Sequence, residues 1–90
     1  MNIYELRRII DEIDDKLVPL LVKRMEISKA VAEYKLENGL PIFSEEREKE
    51  ILQSVAEKSG DYENALKKVY ASVMEASKDV QNEYINSKKD

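Results

Sequence analysis

The chain has 90 residues, which is enough for one small domain. It carries 15 basic and 19 acidic residues, and the interspersed charges argue against nucleic acid as a main partner. The absence of cysteine and histidine excludes disulfides, thiolate and imidazole metal sites, a cysteine nucleophile and the Ser-His-Asp arrangement. The N-terminus lacks an apolar signal core, and no apolar stretch approaches the roughly 18 residues of a membrane span. We therefore expect a cytoplasmic protein, with no membrane partner.

Two glycines and two prolines provide too few turn residues for an all-β fold, so the chain is predicted to be all-α. A first, long helix is predicted over residues 3–38, because apolar residues recur there at alternating steps of three and four. This apolar seam consists of Ile3, Leu6, Ile10, Ile13, Leu17, Leu20, Ile27, Val31 and Tyr34. Gly39 suits a left-handed C-cap, and Pro41 blocks continuation. The pattern passes through Pro19 without losing its phase, so we predict one kinked helix rather than two helices.

Two shorter helices are predicted after this turn. Ser44 is the expected N-cap of the second helix, which ends near Gly60. Its apolar face consists of Ile51, Leu52 and Val55. Asp61 is the expected cap of a third, medium-length helix, which precedes a polar tail over residues 86–90. The apolar residues of the third helix are Leu66, Val69, Tyr70, Val73, Met74, Val80 and Tyr84.

The three predicted helices differ greatly in length. At 1.5 Å per residue they span about 54, 22 and 37 Å, so the second and third helices cannot cover the whole seam of the first. A long apolar stripe left exposed usually marks an interface. A symmetric homodimer is the simplest way to bury it.

Polar residues stand at positions where the helical pattern predicts apolar ones. Arg24 interrupts the seam between Leu20 and Ile27. Lys35 lies three turns further along on the same face, and Ser28 lies between them. A snorkelling arginine and a lysine at the helix C-terminus are the purely structural alternatives.

The second and third predicted helices show the same feature. Ser77 and Gln81 interrupt the apolar stripe of the third helix, and Glu48 lies one turn before the apolar face of the second. A hydrogen bond between helices and an ordinary first-turn glutamate explain these residues when each is taken alone. With the two cations of the first helix they describe a pocket for a small anion, because arginine binds carboxylates bidentately and a lysine beside an amide stabilises a developing oxyanion. We expect no metal or cofactor.

Arg7 is a further candidate that lies far from this pocket. It precedes Arg24 by 17 residues, about 25 Å along a straight helix and roughly 100° around it. One small ligand cannot touch both arginines of the same helix. It touches both if Arg7 comes from the second chain of an antiparallel dimer.

These residues together resemble the all-helical, type II chorismate mutases, and the resemblance covers nearly the whole chain. The matching elements are Leu6-Arg7, Ile13-Asp14, Arg24, Lys35, Arg47-Glu48, Ser77 and Gln81. The resemblance implies a single chorismate mutase-like helical domain over residues 1–90 and an intertwined homodimer with two active sites. It also implies that the protein converts chorismate to prephenate, the entry step to phenylalanine and tyrosine.

The resemblance further implies a role for each matching polar residue. Arg24, and Arg7 of the partner subunit, would hold the two carboxylates of the substrate, assisted by Ser77. Lys35 and Gln81 would donate hydrogen bonds to the ether oxygen whose bond breaks. Such a rearrangement needs a compact conformer and electrostatic support, without an acid or base.

Glu48 would accept a hydrogen bond from the ring hydroxyl, with Arg47 and Ser44 beside it. Familiar members of the family carry an aspartate in place of Ser44, and Pro19 is a second departure. An isochorismate pyruvate-lyase on the same fold is the alternative enzyme, but the related lyases lack an acidic residue at the position of Glu48. A non-catalytic helical dimer or regulatory module is a third interpretation, although it leaves the polar residues in the apolar stripes unexplained.

Overall fold

The computed structural model describes residues 1–89, which form three α-helices and no strand. Helix α1 covers Ile3–Glu37, α2 covers Glu45–Lys58 and α3 covers Glu63–Ser87. A short 3₁₀ turn at Gly60–Tyr62 precedes α3. The predicted all-α class, the number of helices and their order of length are confirmed. Within the described part of the chain, no helix is long and apolar enough to cross a membrane.

Helix α1 begins with a capping box that was not predicted. The Asn2 side chain accepts a hydrogen bond from the Glu5 backbone N–H at 2.9 Å, and the Glu5 carboxylate accepts one from the Asn2 N–H at 3.3 Å. Asparagine followed three residues later by glutamate is a recognised start signal. The helix then continues through Pro19 without a break, which confirms the choice of one helix; a kink at this proline stays a prediction.

The turn after α1 follows the predicted chemistry closely. The helix ends at Glu37, one residue before the predicted end, and Asn38 is its C-cap. Gly39 has φ of +64°, so its left-handed conformation is confirmed. Glycine adopts this conformation without the steric cost that a Cβ imposes.

The N-terminus of α2 was predicted correctly, but that of α3 was not. The Ser44 hydroxyl accepts a hydrogen bond from the Arg47 N–H at 3.2 Å and caps α2. Asp61, by contrast, lies inside the 3₁₀ turn, and Tyr62 is the N-cap of α3, without a side-chain hydrogen bond. The prediction of an Asp61 cap is wrong, because the extra 3₁₀ turn places the start of α3 two residues beyond this carboxylate.

Helix α3 packs against both other helices, and the core around it is small. The buried apolar residues of this core are Ala32 of α1, Val55 of α2, and Val73 and Met74 of α3. No large side chain in residues 1–89 is fully buried. On α1 the residues in closest packing with α3 are the small Ser28 and Ala32, rather than the large members of the seam. One chain therefore encloses little apolar volume.

The N-terminal half of α1 has no partner within the chain. Every residue from Met1 to Leu20 is exposed, including Leu6 at 43%, Ile13 at 56% and Leu20 at 63%. The radius of gyration is 16.3 Å, against about 12 Å for a compact domain of this length. As the helix lengths predicted, α2 and α3 leave much of the apolar seam uncovered.

Candidate active site

A pocket of about 280 Å³ lies between the three helices, a volume near the lower end for small-molecule sites. Seven of the eight residues singled out from the sequence line it. They are Arg24, Lys35, Ser44, Arg47, Glu48, Ser77 and Gln81. The fold therefore brings residues from all three helices to one concave surface.

Arg7 is the residue that the chain does not bring to this pocket. It is exposed on the projecting half of α1, about 25 Å along the helix from Arg24. No bend of a continuous helix returns it to the pocket of its own chain. Within one chain, Arg7 therefore lies outside the pocket.

Helix α1 supplies two of the cations that line the pocket. Arg24 and Lys35 are partly buried, and the intervening Ser28 is buried. The Lys35 ammonium donates to the backbone carbonyl of Ile42 at 2.6 Å, so it contacts the loop between α1 and α2. This contact holds the ammonium at the pocket, and no carboxylate of residues 1–89 pairs with it.

A chain of hydrogen bonds joins α1 to α3 among the residues that line the pocket. The Gln81 amide N–H donates to the Ser77 hydroxyl at 3.2 Å, and the hydroxyls of Ser77 and Ser28 are 2.7 Å apart. The Ser28 hydroxyl donates to the Arg24 backbone carbonyl at 3.0 Å. All three side chains in this relay are buried, with 6–9% exposure. Since each hydroxyl has one proton, all the hydrogen bonds of this relay must donate in the same direction along it.

The other end of the Gln81 amide is unsatisfied. Its Oε1 is buried and has no hydrogen-bond partner within the described residues, a situation that typically costs about 1–3 kcal/mol. A 180° rotation of the amide exchanges its two ends. Oε1 then accepts from Ser77, the Ser77 hydroxyl accepts from Ser28, and the amide N–H₂ takes the unsatisfied position. The Gln81 side chain can thus present either an acceptor or a donor at that position.

Glu48 of α2 and Lys78 of α3 form an ion pair at the wall of the pocket. The Lys78 ammonium lies 2.9 Å from Oε2 of Glu48, and both residues line the cavity. Lys78 was missed in the sequence, because a lysine on a helix is ordinarily a solvated residue. Its signal was its spacing, four residues after Met74 and three before Gln81, which places it on the buried face of α3.

The rim of the pocket is formed by the start of α2. The Arg47 guanidinium is largely exposed and lies 3.6 Å from Glu50 on the same helix, a surface pair that contributes little to stability. Ser44 uses its hydroxyl oxygen for the helix cap and keeps its proton available to a ligand.

The charge of the pocket is strongly positive. Four cationic side chains line it against the single carboxylate of Glu48. A concave site of this kind attracts small anions and concentrates the field on them. Within residues 1–89, no group of three or more His, Cys, Asp or Glu side chains is arranged to hold a metal ion.

Comparison with known proteins identifies the family of the chain. The family model for chorismate mutase type II matches residues 6–82. The chain is 34% identical over 87 residues to a chorismate mutase of Methanocaldococcus jannaschii, covering 93% of this chain and 88% of that protein. It is 35% identical over 83 residues to the T-protein of Haemophilus influenzae, covering 89% of this chain but 22% of that longer protein.

A shorter match, 39% identical over 54 residues, links the chain to a bifunctional chorismate mutase/prephenate dehydratase of Aquifex aeolicus, covering 60% of this chain and 15% of that protein. No solved structure matches the chain significantly. The family match extends from the N-terminal half of α1 to Gln81 and beyond, so it includes every residue of the candidate site. The chain belongs to the chorismate mutase type II family.

Proposed function

We propose that the pocket between α1, α2 and α3 is the active site at which this type II chorismate mutase rearranges chorismate to prephenate. The observation that carries the proposal is the convergence of six family-pattern residues, together with Ser44, on one cationic pocket of about 280 Å³. The rearrangement breaks one ether bond and forms one carbon–carbon bond within the same molecule. It needs no group transfer to the protein, so positioning and fixed charges are sufficient catalysis.

The carboxylates of the substrate are assigned to the arginines. Arg24 offers a planar guanidinium that binds a carboxylate with two parallel hydrogen bonds. Ser77, buried on the facing helix, adds a hydroxyl to the same region. The second carboxylate is assigned to Arg7 of the partner subunit, because this arginine lies outside the pocket of its own chain.

The ether oxygen is assigned to Lys35 and Gln81. Lys35 exchanges its contact with the Ile42 carbonyl for one with the oxygen that gains negative charge. Gln81 reaches the same oxygen through the rotated amide, whose N–H₂ then occupies the position of the unsatisfied Oε1. Donors aimed at developing charge in a site sheltered from water are a large source of rate enhancement.

The ring hydroxyl is assigned to Glu48. Its Oε2 is engaged by Lys78, and Oε1 remains available as an acceptor. Arg47 and Ser44 at the start of α2 close this side of the pocket. A carboxylate acceptor at this point favours the mutase over the isochorismate pyruvate-lyase of the same fold.

We further propose that the active form is an intertwined homodimer. The small core of one chain and the exposed seam of residues 3–20 both require a partner, and a second copy offers the same seam. An antiparallel arrangement of two α1 helices carries each Arg7 toward the pocket of the other subunit. The product, prephenate, then serves the synthesis of phenylalanine and tyrosine.

Incubation of the purified protein with chorismate and chromatographic identification of the product tests the proposal. Prephenate should form at a rate far above that of a protein-free control, and Arg24→Ala should abolish most of this rate while retaining helical circular dichroism. Pyruvate release from isochorismate would identify the lyase instead. Consumption of neither compound would leave the non-catalytic dimer as the correct interpretation.

A further inference from the structure

Lys78 is the one pocket cation that neither the sequence pattern nor the proposed reaction uses. It lies on α3 directly after Ser77, and its ammonium is 2.9 Å from Oε2 of Glu48 on α2. The two side chains are only 32% and 26% exposed. Their contact therefore connects two helices at the wall of the cavity.

This ion pair differs from the other pairs of the described chain. Three further pairs occur in residues 1–89, each between residues three or four apart on one helix. Their N–O distances are 3.3–3.8 Å, and their side chains are 50–76% exposed. Solvent and salt screen such exposed pairs, whereas a partly buried pair is screened much less. The pair in the pocket is the shortest and the most sheltered.

A second contact, with the ring of Phe43, also holds the Lys78 ammonium. Its ammonium lies 5.1 Å from the centroid of the Phe43 ring, at a distance typical of cation–π contact. Phe43 belongs to the loop that connects α1 and α2, the same loop whose Ile42 carbonyl binds Lys35. The ring and the carboxylate together hold the ammonium in place, so Glu48 meets a cation with a defined geometry.

On the basis of the proposed function, we propose that Lys78 is a positioning residue that orients Glu48 toward the ring hydroxyl of the substrate. Glu48 is the single carboxylate in a pocket that must accept a dianion, so its charge needs compensation. Lys78 supplies that compensation and engages Oε2, which directs Oε1 into the cavity. Lys78 acts through Glu48 and makes no contact of its own with the reacting atoms.

A double-mutant cycle on the 90-residue chain tests this role. The variants are Lys78→Met, Glu48→Gln and their combination, assayed for kcat and KM with chorismate. Lys78→Met should raise KM about tenfold with a smaller change in kcat, because the hydroxyl contact is present in both the bound substrate and the transition state. In the Glu48→Gln background the same substitution should change KM less than about twofold, because a neutral amide needs no counter-charge.

Two further variants separate positioning from structural support. Lys88→Met is a matched control, because Lys88, the C-cap of α3, lies at the same 5.1 Å from an aromatic ring, that of Tyr84, but outside the pocket. It should leave KM unchanged. Lys78→Arg retains the positive charge and should keep KM within about threefold of the wild-type value. A purely structural lysine would instead lower the melting temperature in both backgrounds and leave KM unaltered.

Three outcomes would overturn the inference. Equal effects of Lys78→Met in both backgrounds would show that Lys78 acts on the substrate directly rather than through Glu48. An unchanged KM in Lys78→Met would show that the pair has no role in binding. A wild-type protein that does not convert chorismate would refute the proposed function, and with it the role of Lys78. An active enzyme whose double-mutant cycle is additive would refute the role of Lys78 alone.

Discussion

The two halves of α1 share one sequence pattern but have different surroundings. In residues 3–20 every side chain is exposed, although apolar residues recur at regular steps of three and four. In residues 24–35, Ser28 and Ala32 are buried against α3, and the polar side chains of this half line the pocket. The seam residues of this half, Ile27, Val31 and Tyr34, are themselves exposed, so within one chain the periodicity did not identify the face of α1 that contacts α3.

The difference shows how one helix can serve two kinds of contact. Small side chains at Ser28 and Ala32 let α3 approach closely, which leaves room beside them for a polar pocket. Large side chains in the first half instead present apolar area that α2 and α3 cannot reach. Burial of one such side chain is worth about 1.5–3 kcal/mol, so pairing of two seams can stabilise a chain with a small core. We therefore assign the first half to the proposed dimer contact and the second half to the proposed chemistry.

Ile13→Asp is the most severe test of this comparison. Two buried carboxylates per symmetric dimer should abolish the seam contact, with loss of the dimer in sedimentation and more than about a 100-fold loss of mutase activity. Val22→Asp is the matched control, because Val22 is 55% exposed against 56% for Ile13 but lies on the opposite side of the helix. An active dimeric Ile13→Asp protein would show that the seam is not the interface.

Arg7→Ala and Arg24→Ala connect the two halves directly. Each substitution should lower kcat/KM about 100-fold or more, because it leaves a buried carboxylate of the substrate without its partner. Equal amounts of the two inactive chains, refolded together, should recover about a quarter of the wild-type activity, because half of the dimers are mixed and each has one intact site. Mixed dimers without any gain in activity would place Arg7 outside the active site.

Gln81→Glu tests the chemistry of the second half alone. At pH 8 the new carboxylate is ionised and repels the developing oxyanion, so kcat should fall about 100-fold. On acidification the carboxyl group becomes protonated and can donate, so part of the activity should return. Gln53→Glu on the exposed face of α2 is the control and should show a wild-type pH profile. Full activity of Gln81→Glu at pH 8 would remove Gln81 from the ether oxygen.

Ser28→Ala should have the smallest effect and tests the relay between α1 and α3. Without the Ser28 hydroxyl, the observed orientation of the Gln81 amide loses two hydrogen bonds of the relay and the rotated, donor orientation loses one. The balance therefore shifts by about 1 kcal/mol toward the donor orientation, so kcat should rise up to about fivefold with little change in KM. Ser72→Ala, at an exposed position on α3, should have no effect on kcat. Equal kinetics for both variants would show that the relay does not set the orientation of the amide.

Much of the fold could be predicted from the sequence because its signals are local. The Ser44 cap, the left-handed Gly39 and the passage of α1 through Pro19 depend on residues within one or two turns. The Asp61 cap failed because a competing 3₁₀ turn offers the backbone another set of hydrogen bonds. Such a choice is decided by a small difference in free energy, which the capping preference of one residue does not determine.

The sequence by itself determined the helical class, the family, the long apolar seam and seven polar residues that line one pocket. Their spacing on each helix follows from 3.6 residues per turn, so it can be read without coordinates. Only the tertiary structure decided which side chains meet across helices. The pairing of Lys78 with Glu48, the hydroxyl contact of Ser28 with Ser77 and the unsatisfied oxygen of Gln81 depend on the rotation and separation of packed helices. Those quantities are set by the volumes of all facing side chains together, which no periodicity along one helix contains.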